Sequence, residues 1–118
     1  MAVERVGGVR RSVGRLMRSQ YSHVYYETVA ASQTAQALGA AGAKGDYLAQ
    51  IVIIPATTSP GAVSILDDAT SISVFAGGAS SVTELKPIVV TLGLTSKNGA
   101  WKITTGANVS VIACGQFT

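Results

Sequence analysis

The feature that most constrains this chain is a series of short, β-branched runs cut at close intervals by glycine and proline. It runs through residues 46–118, which hold only seven charged side chains (Asp46, Asp67, Asp68, Glu84, Lys86, Lys97 and Lys102). Val, Ile and Thr are stiff at Cβ and suit a pleated surface, whereas no helical pattern of ten or more residues separates the runs. The chain is therefore expected to be all-β. Runs at 20–31, 47–54, 62–66, 70–75, 88–94, 100–104 and 109–117 give about seven strands. Such spacing fits a single β-sandwich or jelly-roll-like domain.

The turn chemistry places most strand ends. Thr58-Ser59-Pro60-Gly61 reads as a turn, because proline presets φ and glycine accepts a positive one. Asp67-Asp68-Ala69 reads as a solvated acidic turn joining two strands into a hairpin. In the second of these strands, alternation sets Ile72 and Val74 on one face and Ser71, Ser73 and Phe75 on the other. Lys97-Asn98-Gly99 carries a second hairpin signal, and Gly106-Ala107-Asn108 turns into the last strand. Residues 32–43, rich in Ala, Gln and Gly, read as a loop or a weak helical turn.

Charge divides the chain unevenly. Residues 1–20 hold all five arginines against Glu4, while the rest carries four lysines against five acids. This marks a basic, extended N-terminal arm at 1–20 attached to a nearly neutral β-sandwich domain at 21–118. Val6, Val9, Val13, Leu16 and Met17 follow one helical face of the arm, but Gly7, Gly8 and Gly14 weaken an isolated helix, so its ordering is expected to need a partner. Arginine interleaved with apolar residues favours a protein surface, with nucleic acid phosphates as the rival. Next to the arm, Tyr21, Tyr25 and Tyr26 suit either an interface or a sheet edge packed on the core.

The composition argues for partners. Charged residues make up 13% of the chain, about half the usual share, and mean hydropathy is +0.37. No apolar run approaches the length of a membrane span, so the excess apolar surface is expected to be covered by other protein chains, as in a homo-oligomer. Reaction chemistry is sparse. A catalytic pair would have to join Cys114 to the only histidine, His23, and no third group suggests itself. Cys114 reads instead as a small buried hydrophobe. Asp67, Asp68 and Glu84 are too few for a calcium site, and Gly77-Gly78-Ala79-Ser80-Ser81 lacks the residues that make a phosphate loop specific. Trp101, the only tryptophan, reads as core; an exposed indole would suit a sugar-binding platform. No catalytic residue, metal or cofactor is expected.

A resemblance sharpens this. Gly45-Asp46-Tyr47-Leu48, Ile53-Ile54-Pro55-Ala56-Thr57-Thr58-Ser59-Pro60-Gly61-Ala62-Val63-Ser64-Ile65, Val74-Phe75-Ala76-Gly77-Gly78 and Gly99-Ala100-Trp101-Lys102-Ile103-Thr104-Thr105-Gly106-Ala107-Asn108-Val109 make residues 45–118 similar to small virion proteins of tailed bacteriophages, of the capsid decoration, or cement, class. The resemblance implies a β-rich dimer or trimer on the capsid surface, made in the bacterial cytoplasm, with the major capsid protein as partner and no small-molecule substrate. It brings no catalytic motif. On this reading Arg10, Arg11, Arg15, Arg18, Tyr21, Tyr25 and Tyr26 are the expected contacts to the shell or to neighbouring subunits. A tail or head–tail connector component, or a carbohydrate-binding module on the particle, are the alternatives.

Overall fold

A computed structural model describes residues 24–118. Eight strands and no helix are found among them: β1 (Tyr25–Val29), β2 (Gln36–Ala37), β3 (Tyr47–Pro55), β4 (Val63–Asp67), β5 (Thr70–Phe75), β6 (Ile88–Thr95), β7 (Trp101–Thr105) and β8 (Val109–Gln116). They form two four-stranded antiparallel sheets, ordered β1-β8-β3-β6 and β2-β7-β4-β5. Each early strand pairs with its late counterpart: β1 with β8, β2 with β7, β3 with β6 and β4 with β5. The chain is thus wound as one long hairpin folded over itself.

The core lies between the sheets. Inward positions alternate along β4 (Val63, Ile65), β7 (Trp101, Ile103), β8 (Val109, Val111, Ala113) and β3 (Leu48, Ile51, Ile53), where a register shift between Leu48 and Gln50 inserts one extra residue, and Val29 and Leu38 close one side. All are essentially buried, as period-two patterning demands of a sheet with one dry face. Trp101 is core, and its indole Nε1–H donates to the Asp46 carbonyl at 2.9 Å.

Several local expectations change. Lys97-Asn98-Gly99 does not make a hairpin, because β6 and β7 belong to different sheets and the turn carries the chain across the core. The hairpin signal is local, but which sheet receives the next strand depends on where its apolar face can be buried. Residues 32–43 contain β2, too short to show a sequence period, held to β7 by the Leu38 N–H to Trp101 carbonyl bond and by the Ala35 N–H donating to Thr104 Oγ1, both at 2.9 Å. The expected strand at 20–31 is observed as β1 from Tyr25. In β5 a bulge opposite Val63 and Ser64 breaks the alternation: Ile72 pairs with Ile65 and Phe75 with Val63, so both face inward, while Ser73 pairs with Ser64.

Two sheet-crossing loops meet at Gly61 and Gly106. A Cβ on either would lie 2.7 Å from the other's Cα, and the loops are latched by Gly61 N–H to Ala107 O and Gly106 N–H to Ala62 O, each 2.8 Å. Backbone faces backbone here, so neither side can yield cheaply. Gly106→Val is expected to cost about 1–3 kcal/mol by overpacking, read from the urea midpoint.

Candidate interaction surfaces

Among the described residues, no three His, Cys, Asp or Glu side chains come close enough to hold a metal ion. The carboxylates that are present serve the fold. Asp46, buried at the start of β3, accepts hydrogen bonds from Ala43 N–H (3.0 Å), Thr118 N–H (3.1 Å) and the Thr118 hydroxyl (3.0 Å), pinning residue 118 against the sheet. An open cleft of about 360 Å³ lies beside it, lined by Tyr25, Gly45, Gln116 and Phe117. Asp46 and Thr118 themselves complete its lining, so the cleft borders on the contacts that hold residue 118.

Asp67 corrects the sequence reading most sharply. It is not a solvated turn residue: it is buried at the end of β4, where Lys97 N–H (3.0 Å), Asn98 N–H (3.1 Å) and Gly99 N–H (3.3 Å) all donate to its carboxylate. Burial pushes its carboxyl upward, but these three backbone donors, helped by the Lys97 charge, outweigh burial and hold it below the ordinary aspartate value. Asp68 is the exposed member of the pair, in a left-handed conformation (φ 57°) at the tip of the β4–β5 hairpin. Glu27 likewise turns inward from β1, its Oε2 accepting the Gly39 N–H at 2.6 Å.

The outward face of the β1-β8-β3-β6 sheet is rich in apolar and uncharged side chains. Register sets its rows: Tyr26, Cys114, Gln50 and Thr91 lie side by side, and next to them Thr28, Ile112, Val52 and Val89. Ile54 and Ser110 pair beyond these. Tyr26 is 75% exposed and Val89 58%, while Val52, Ile54, Ile112 and Cys114 are half-buried only by their neighbours. No charged side chain stands in these rows. Cys114 is therefore not a buried hydrophobe, because the β8 alternation gives the inner face to Ala113 and Gly115.

Of the residues expected to make contacts, Tyr26 lies on this face, whereas Tyr25, 63% exposed, has the inward parity of Glu27 and Val29 and lines the Asp46 cleft at the end of the sheet. Arg10, Arg11, Arg15, Arg18 and Tyr21, with His23, lie outside the described residues. Sequence reading missed Val52, Val89 and Ile112, whose signal was present: in 47–54, 88–94 and 109–117 apolar residues occupy both parities, so one set had to face outward. Trp101, being buried, offers no platform for a sugar. No protein-family model, curated protein or solved structure matches the chain.

Proposed function

We propose that this chain is a structural virion protein of the capsid decoration class, a jelly-roll sandwich that binds the shell of major capsid protein and bridges capsomers. The observation that carries this reading is the charge-free outward face of the β1-β8-β3-β6 sheet. A four-strand surface bearing Tyr26, Val52, Val89 and Ile112 and no charge gains more from cover by protein than from water. Pairing each early strand with its late counterpart is the wrapping of jelly rolls, an architecture used by viral capsid and lectin domains, which by itself is support by analogy. The resemblance of residues 45–118 points to the decoration class in particular.

In this role the protein works by binding energy alone, as a homo-oligomer, with no cofactor and no turnover. The arm bearing Arg10, Arg11, Arg15 and Arg18, followed by Tyr21, Tyr25 and Tyr26, leads directly into the edge strand of the proposed contact sheet, and its charge suits acidic patches on neighbouring subunits. Repetition over a symmetric shell multiplies weak contacts into high occupancy.

The test is co-sedimentation of purified protein with expanded shells of its own phage. Stoichiometric binding of hundreds of copies is expected, and the Tyr26→Lys variant, altered at a 75% exposed position on β1 and with stability within about 0.5 kcal/mol of the parent, should bind far more weakly. Wild-type protein left in the supernatant, or found at six or twelve copies per particle, would replace this role with another virion position or none.

A further inference from the structure

The sandwich is finished on one side and open on the other. The Gln36 side-chain amide donates to Thr28 O and Glu27 accepts from Gly39, so β1 lies over β2 and the opposite edges, β5 and β6, lie over each other. On the β1/β2 side the inward apolar groups, Val29 and Leu38, are buried. On the β5/β6 side none is. Ile72 and Leu94 face inward by register, opposite Ile65 and Leu48, yet are 40% and 39% exposed, and Phe75, Ile88, Val90 and Leu92 are only partly covered.

The two edges differ also in their defences. Natural edges are protected by short strands, inward-turned charges or lysines. The β1/β2 side has a two-residue strand and the inward Glu27. Strands β5 and β6, with the sequences TSISVF and IVVTLGLT, have no charge and no proline, and β5 pairs only with β4 and β6 only with β3. A bulge in each is their one irregularity, with Gly93 at φ 64° in β6.

We propose that a second copy of this chain closes the β5/β6 side. A two-fold axis normal to the sheets would set β6 antiparallel to its own copy and β5 antiparallel to its own copy at once, because both open edges are on one side of the sandwich. Charge favours this occupant. An uncharged edge meets itself without like-charge repulsion, whereas the arginine-rich arm would find few free acids there: Asp68 and Glu84 each already have a lysine, Lys102 at 3.7 Å and Lys86 at 2.7 Å. The contact buries Ile72, Leu94 and their half-covered neighbours, and leaves the Tyr26, Ile112 and Val52 positions facing outward. This inference deepens the oligomeric part of the proposed function and is independent of what the outward face binds.

The test is the mass of the pure full-length chain by light scattering at micromolar concentration, combined with amide hydrogen exchange. A dimer is expected, with slowed exchange in 70–75 and 88–95 at high concentration relative to low. Thr91→Lys, at an exposed edge position of β6, should weaken self-association at least about tenfold without changing the fold, and Ser73→Lys, at an exposed position of β5, should do the same. A monomeric wild type would overturn the inference, as would an unchanged association constant in both variants, or concentration-dependent protection confined to 1–23 or to the Tyr26 and Ile112 strands. No shell enters this measurement, so its failure is distinct from failure of the decoration role.

Discussion

The Trp101→Ala variant is expected to lose about 3–5 kcal/mol of stability, the largest effect of any single truncation in this domain. The indole is the bulkiest fully buried side chain, and it sits between the sheets at the start of β7. Its removal leaves a cavity that backbone hydrogen bonds on both sides prevent from collapsing: Leu38 N–H to Trp101 O at 2.9 Å on one flank and the β7–β4 ladder on the other. It also leaves the Asp46 carbonyl without its indole donor, although the Ser96 N–H at 2.9 Å still satisfies that oxygen. Trp101→Phe separates the two contributions, since it keeps most of the volume and deletes the hydrogen bond; a loss of about 1–2 kcal/mol is expected there. Thermal melting should register the alanine variant as a drop of about 10–20 °C. A drop of a few degrees would mean that the core repacks around the gap.

The second large effect concerns Asp67 and depends on pH. Asp67→Asn keeps the size of the side chain but turns an amide NH2 toward a turn that presents three backbone N–H donors. At neutral pH the loss should be about 1.5–3 kcal/mol, the range for hydrogen bonds to a charged group. Because the folded carboxyl titrates below the ordinary value of 3.8, the folded state binds this proton less readily than the unfolded chain does. The stabilisation is therefore fully present above that value and disappears as pH falls through the lower folded pKa. Urea unfolding of wild type and variant at pH 7 and at successively lower pH should show a gap that is constant down to about pH 4 and narrows below it. A gap independent of pH would show that the turn is held by shape and not by the charge of Asp67.

These two residues also show how far the sequence could be read. Trp101 was legible as core because a large aromatic in an alternating strand has few other places to go. Asp67 was not. Adjacent aspartates beside a turn look solvated, and the donors that claim Asp67 come from a loop thirty or more positions later in the chain. Of the exposed residues of the β1-β8-β3-β6 sheet, Tyr25 and Tyr26 stood out in the sequence because they are large and clustered. Val89 and Ile112 looked like core residues in their runs, and only the register of β1, β8, β3 and β6 brings them onto one outward face.

The sequence by itself determined the class of the fold, six of the strands nearly to the residue and the burial of Trp101, because these follow from local stiffness, period-two patterning and turn chemistry. Only the tertiary structure decided that the strands beyond Lys97 and Gly106 cross between sheets, that Cys114 faces outward and that the β5/β6 side stays open. Each of those depends on which apolar face finds a partner across the core, a condition set by residues distant in the chain and invisible to any local pattern.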